Sequence, residues 1–189
     1  MTLGLDGRRV LVGVGGSVAA YKACQVVTEL RRAGADVRVA MTEAAARFVT
    51  PALLRALSGH PVASSMWDGD AADAGHGMSH IELASWCELQ VVVAASADLI
   101  ARLALGLAPD PVTATALASR APMIVAPAME AAMWEHPATQ ANAATLTARS
   151  VRIIGPVHGR LASGHESTGR MVEPDGIVAA VREILGAGA

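Results

Sequence analysis

The stretch Pro127-Ala128-Met129-Glu130-Ala131-Ala132-Met133-Trp134 sets one carboxylate among two thioethers and an indole. It follows a short apolar run, residues 123–126, that reads as a buried strand, and precedes His136-Pro137, which opens a helical pattern. Pro127 breaks the strand, so the stretch lies at a strand's C-terminal end, where open α/β sheets place their ligands. From spacing alone, Met129, Met133 and Trp134 also fit ordinary core packing, because methionine fills gaps. A second candidate is Gly13-Val14-Gly15-Gly16-Ser17, between a β-branched run and a helical pattern that Gly34 closes. Such a loop presents backbone N–H groups to a phosphate at a helix N-terminus; the plainer reading is a tight turn. It is not a full dinucleotide fingerprint. Val18 stands where the third glycine belongs, and the next strand ends in Thr42 rather than an acidic residue. His80, at the start of a short helical pattern, is a third candidate. Its free pKa near ~6.5 suits proton exchange at neutral pH, although a lone histidine there also serves as a cap. Ser96 and Asp98 suit helix capping.

These residues need a frame. Runs at 9–14, 36–41, 89–95, 123–126 and 152–154 read as five parallel strands alternating with helices. That pattern implies an open, doubly wound parallel α/β sheet, Rossmann-like or flavodoxin-like, in three α/β/α layers. The glycine loop, Thr42, Ser96 and Pro127 then all fall at strand C-termini, where one crevice gathers them. Residues 1–189 read as one domain. Residues 60–79, with Trp67, Asp68, Asp70, Asp73, Gly75 and Gly77, read as an exposed loop, and a final helix is expected over 177–185, capped by Asp175, with a frayed tail at 186–189. Residues 155–174 form a long glycine-bearing loop of the kind that more often serves function.

Composition bounds the function. Hydrophobic residues make up 52% and charged residues 17%, which favours a buried sheet and a large subunit interface. No apolar run reaches the ~18 residues of a membrane span, and residues 1–8 carry Asp6 and no signal-peptide core. A net charge of −2 gives no reason to expect nucleic acid. Cys24 and Cys87 form no Cys-x-x-Cys, and the histidines show no metal-ligand spacing, so no disulfide framework and no metal are expected. The expected location is cytoplasmic.

Pro-Ala-Met-x-x-x-Met-Trp resembles the signature of the flavin-dependent cysteine decarboxylases, which include phosphopantothenoylcysteine decarboxylase and the peptidyl-cysteine decarboxylases of modified-peptide biosynthesis. The likeness also runs in order through Gly15-Gly16-Ser17, Val37-Arg38-Val39-Ala40-Met41-Thr42, Phe48-Val49-Thr50-Pro51, His80-Ile81, residues 95–101, Pro137-Ala138-Thr139-Gln140-Ala141-Asn142 and Gly169-Arg170-Met171-Val172-Glu173-Pro174. The resemblance implies a bound flavin mononucleotide (FMN), with Gly15, Gly16, Ser17 and Val18 at its phosphate. It places Thr42, Phe48, Ala95, Ser96, Ala97 and Met129 at the flavin, Phe48 touching the ring or a neighbouring subunit. It gives His80 the acid/base role and the motif around Glu130 the carboxylate-holding role. Residues 155–174 become a clamp over the cysteine substrate, with Met133, Trp134, Ala162, Ser163, Gly164, Arg170 and Met171 at the substrate. It also implies self-association as trimers, assembled into a dodecamer.

The sequence leaves the family's pattern at three places. Ala95 replaces a proline, Glu130 replaces an asparagine, and Ala162-Ser163-Gly164 stands where the pantothenoyl enzymes carry Ala-Cys-Gly. A flavin oxidises the cysteine thiolate to a thioaldehyde, whose C=S accepts the electrons released with carbon dioxide. A clamp cysteine then reduces the enethiol; a serine has no comparable redox chemistry. The product is therefore expected to stop at the enethiol, as in oxidative decarboxylation of the C-terminal cysteine of a ribosomal precursor peptide for thioether ring formation. That reading makes a cysteine-ending precursor peptide the partner. A chain ending at residue 189 is also expected to lack a ligase domain. The alternatives are phosphopantothenoylcysteine decarboxylation in coenzyme A biosynthesis, a flavin prenyltransferase, or a flavin-binding regulatory protein without catalysis. An ionised Glu130 repels a substrate carboxylate. Two options stay open: it acts protonated as a donor, or it points elsewhere while backbone groups hold the carboxylate.

Overall fold

The computed structural model describes residues 4–67 and 80–186. Expectations for 68–79, including Asp68, Asp70, Asp73, Gly75 and Gly77, and for the tail at 187–189 lie outside the described residues.

Six parallel strands form the sheet: β1 (Arg9–Val14), β2 (Asp36–Met41), β3 (Val62–Ala63), β4 (Leu89–Ala95), β5 (Met123–Pro127) and β6 (Arg152–Ile153). Their order is β3-β2-β1-β4-β5-β6. This is the Rossmann order, and the direction of winding reverses between β1 and β4. The strand β3 lies in the stretch expected to be loop; two residues carry too little pattern to be read. The central strand β4 is buried at all seven positions, the signature of a sheet covered on both faces.

Alternation along β1 divides the core. Val10, Val12 and Val14 face one layer, in which α1 (Lys22–Arg32) packs between α2 (Pro51–Ser58) and α8 (Pro174–Gly186). Leu11 faces the other, built from α3 (His80–Trp86), α4 (Ala97–Leu105), α5 (Pro111–Ala118) and α7 (Pro137–Ala148), with α6 (Ala131–Glu135) beside α7. Side chains mark the helix starts. Thr50 accepts from the Leu53 N–H, Ser96 from the Leu99 N–H, and Asp110 forms a reciprocal capping box with Thr113.

Residues 155–174, expected to be one loop, are not. They hold an antiparallel hairpin of β7 (Val157–Arg160) and β8 (Glu166–Arg170). Its turn closes through Leu161 N–H to His165 O (2.8 Å) and Gly164 N–H to Leu161 O (3.0 Å), with Gly164 at φ +91°. The last helix starts at Pro174, three residues before the expected start.

Candidate active site

The C-terminal ends of β1, β2, β4 and β5 converge on two adjoining cavities that share Gly16 and Ser96. The first, of about 590 Å³, lies between the motif Ala128-Met129-Glu130 and the hairpin. The second, of about 660 Å³, lies between Thr42-Glu43-Ala44 and the start of α4.

The glycines let three loops touch. A Cβ on Gly16 would stand 2.3 Å from the Ala44 Cβ, and one on Gly15 would stand 2.4 Å from the Ala94 carbonyl oxygen. No side chain fits at either position. Arg47 and Arg102 line the second cavity. Arg102 pairs with Asp98 and Asp110, and Arg47 has no ion pair among the described residues. The α4 N-terminus adds its positive dipole end. Glu43, Asp98 and Asp110 line the same cavity and Arg102 is held by two of them, so the groups here that suit a phosphate are the close backbone at Gly16, the helix start and Arg47. The apolar wall of Val18, Phe48, Ala128 and Met129 in the first cavity fits a flat ring. The residues lining the two cavities would suit FMN.

The hairpin is fastened to the motif at both ends. At its root, the Met129 N–H donates to Gly169 O (3.0 Å). A Cβ on Gly169 would stand 2.2 Å from the Met129 carbonyl oxygen. At its tip, Ser163 donates twice to one carboxylate: its N–H to Glu130 Oε1 (3.3 Å) and its Oγ to Glu130 Oε2 (3.0 Å). Glu130 lines the first cavity and turns its carboxylate to the hairpin tip. Beyond the hairpin, Met171 is buried and its Sδ accepts from the Ala94 N–H at 3.2 Å. Ala94 sits at φ +54°, where β4 slips register against β5. A non-glycine residue there costs about 1–2 kcal/mol, and such strain clusters at functional sites.

Positive charge rings the first cavity. Lys22, Arg160 and Arg170 line it. Lys22, only 8% exposed, donates to Glu173 Oε2 at 2.9 Å, and Arg170 also pairs with Glu173. The hydrogen bond from Lys22 holds the Glu173 carboxyl below its ordinary range, against a partial desolvation that pushes the other way. The Arg160 backbone pairs with Glu166 in the hairpin, and its guanidinium has no ion pair among the described residues.

Of the expected residues, Gly16, Ser17, Val18, Phe48, Ser96, Met129, Glu130, Met133, Ala162, Arg170 and Met171 line the first cavity, and Thr42 lines the second. The others sit elsewhere. Gly15 donates its N–H to Val93 O and seats the loop on β4. Ala95 is wholly buried in β4, and its carbonyl receives the Ala128 N–H at 2.9 Å. Ala97 begins α4 behind the Ser96 cap. Trp134 packs on the second core layer beside Met129. Ser163 and Gly164 form the hairpin tip, and Ser163 meets the site through Glu130. His80 lines neither cavity. The Thr42 hydroxyl is committed within the fold, donating to Val14 O (3.4 Å) and accepting from the Ala45 N–H (3.1 Å). Sequence reasoning missed Lys22, Arg47, Ala128 and Arg160. The one lysine of the chain, on the buried face of an amphipathic helix, was a usable signal for the first. Among the described residues no group of His, Cys, Asp or Glu is arranged to hold a metal, and no helix is long and apolar enough to cross a membrane.

A family model described as Flavoprotein matches residues 3–186. The chain is 48% identical over 176 residues to the coenzyme A biosynthesis bifunctional protein CoaBC of Escherichia coli (strain K12), covering 93% of this chain and 43% of that protein. It is 43% identical over 178 residues to CoaBC of Mycolicibacterium smegmatis, covering 94% and 42%. The chain thus spans less than half the length of these relatives. Among solved structures, the FMN-dependent cysteine decarboxylase SpaF aligns with TM-score 0.80 and 30% identity, covering 96% of this chain and 99% of that one. A cysteine-to-serine mutant of a PPC decarboxylase, complexed with pantothenoylaminoethenethiol, aligns with TM-score 0.81 and 30% identity, covering 94% and 98%. With a match over almost its whole length and a cavity pair suited to FMN, the chain belongs to the flavoprotein family, in the group whose solved structures include FMN-dependent cysteine decarboxylases.

Proposed function

We propose that this chain, with FMN bound, oxidatively decarboxylates the cysteine of a pantothenoylcysteine-type substrate and releases the enethiol. The observation that carries the substrate class is the 43–48% identity to CoaBC proteins over nearly the entire chain, against 30% to SpaF. Bound FMN supplies the two-electron oxidation of the substrate's thiol-bearing carbon. The chain's own residues do the rest. Arg160 and Arg170 offer charge to the substrate's anionic groups, the wall at Ala128, Met129 and Met133 packs its apolar stem, and the hairpin excludes water. His80 takes and returns the proton of the substrate thiol. Because His80 lies outside the cavity of its own chain, this role needs a second copy. The exposed Phe48, Ile81 and Met133 supply apolar surface for self-association. Trimeric and dodecameric assembly and a cytoplasmic location belong to the same reading.

Ser163 supports the enethiol as the end point, since no clamp thiol stands ready to reduce it. The mutant neighbour that holds an aminoethenethiol carries serine for cysteine. The same serine favours a second reading, decarboxylation of a peptide's C-terminal cysteine. One experiment separates them. FMN-loaded protein is given phosphopantothenoylcysteine and, separately, peptides ending in cysteine, and products are read by mass spectrometry. Loss of carbon dioxide plus two hydrogens from the first is expected. That loss from peptides alone selects the second reading, and loss from neither refutes both.

A further inference from the structure

The two residues at which the motif and the clamp leave the family's pattern, Glu130 and Ser163, are 33 positions apart and are each other's partners. We infer that they form a latch: Glu130 is a positioning residue that acts through Ser163 to hold the hairpin tip closed over the cavity. This deepens the proposed function, because it says how the covered site is maintained.

Three observations carry it. First, the pairing is chemically matched. An ionised carboxylate only accepts, and Ser163 supplies one donor to each oxygen, its N–H and its hydroxyl. Such charge-assisted bonds are stronger than neutral ones. Second, the bonds are placed where the hairpin has no other. The bonds within the 161–165 turn, Leu161 N–H to His165 O and Gly164 N–H to Leu161 O, close the turn on itself. Among the described residues, the hydrogen bonds tying that turn to the body are the two from Ser163. Third, the root is fixed independently, by the Met129 N–H on Gly169 O and by the close seat of Gly169. A hairpin fixed at its root and latched at its tip can open at the tip without leaving the fold. Ala162, beside the latch, lines the cavity, so opening the tip opens the cavity's wall.

The test reads the hairpin directly and needs no substrate. Amide hydrogen exchange over 161–165 is measured on the FMN-loaded protein for wild type, Glu130→Ala, Ser163→Ala, the double variant and Glu130→Gln. Ser163→Ala, which removes only the hydroxyl bond, is expected to raise exchange about tenfold, the scale of one charge-assisted bond, and Glu130→Ala, which removes both bonds, by at least as much. The double variant should add nothing beyond Glu130→Ala, and Glu130→Gln, whose amide oxygen still accepts, should recover much of the protection. Exchange equal to wild type in both single variants, or effects that add in the double, would overturn the latch. Flavin absorbance in the same samples confirms a folded, loaded protein. If the latch holds while phosphopantothenoylcysteine and cysteine peptides go unprocessed, it is the decarboxylase reading that fails. When substrate is turned over, the two single variants should shift KM and kcat in the same direction, Glu130→Ala at least as far as Ser163→Ala, as expected of one device.

Discussion

Gly169→Ala tests whether the hairpin root is seated on the catalytic motif. The added Cβ would stand 2.2 Å from the Met129 carbonyl oxygen, with Ala131 N and Glu130 C each at 3.3 Å. All three are backbone atoms, so no flexible side chain can yield. Real Cβ contacts keep to at least 3.0 Å, so hairpin and motif must part by about 0.8 Å. Overpacking of this kind costs about 1–3 kcal/mol, and the Met129–Gly169 hydrogen bond adds about 1 kcal/mol if it is lost. At this chain length, about 2 kcal/mol lowers the melting temperature by roughly 4–8 °C. A displacement near an ångström at a reacting group costs about 10²-fold in rate. The assay is a thermal melt of the FMN-loaded variant alongside kcat/KM on phosphopantothenoylcysteine. Gly164→Ala is the control: its Cβ meets nothing within 4 Å, and its φ of +91° carries only a local conformational cost of about 1 kcal/mol. A Gly169→Ala protein that melts like wild type and keeps its kcat/KM would refute the seating of the hairpin on the motif.

Gly16→Ala would place a Cβ 2.3 Å from that of Ala44, and the purified protein should lose its flavin absorbance while keeping its far-ultraviolet dichroism. His80→Asn should retain flavin and lose turnover by about 10²–10⁴-fold, the usual worth of a positioned acid or base; near wild-type turnover would remove His80 from that role. Because Glu173 is held below its ordinary pKa of 4.5, it adds stability above that value, and the contribution fades as pH falls through the lowered one. Urea titrations should therefore find wild type more stable than Glu173→Gln at pH 7, with the gap closing in acid; a gap independent of pH would show that the charge pairing with Lys22 does not matter.

The sheet was legible because its central strands are continuous apolar runs, and the glycine loop and Pro127 mark where they stop. What escaped the sequence has physical reasons. The hairpin strands Val-His-Gly-Arg and Glu-Ser-Thr-Gly-Arg are mostly exposed and lack the alternation that marks a half-buried strand. Ala94 adopts a left-handed conformation at a bulge, and an alanine gives no warning of that. The pairing of Glu130 with Ser163 was not legible, because the partner lies 33 positions away. Ala95 and Trp134 came to the site with two different segments of the resemblance, and a motif does not say which of its members face a cavity and which the core.

The cavity's own ionisable groups argue for a shared site. Lys22 is bonded to Glu173, and Glu130 is bonded to Ser163. Arg160 and Arg170 present guanidinium groups, which donate hydrogen bonds and do not accept them. No histidine, the side chain suited to trading a proton near neutral pH, lines the first cavity. In the proposed function His80 serves the cavity of another copy, and a complementation experiment decides the matter. Gly16→Ala is expected to lack flavin but to offer His80; His80→Asn offers a flavin site without the imidazole. Each alone should be nearly inactive. Co-expressed and purified as a mixed assembly, the two should regain turnover, because one copy supplies the cavity and the other the base. Activity that stays absent in verified mixed assemblies would place His80 in the same chain as the flavin it serves, and would require movement of α3 towards that chain's own cavity.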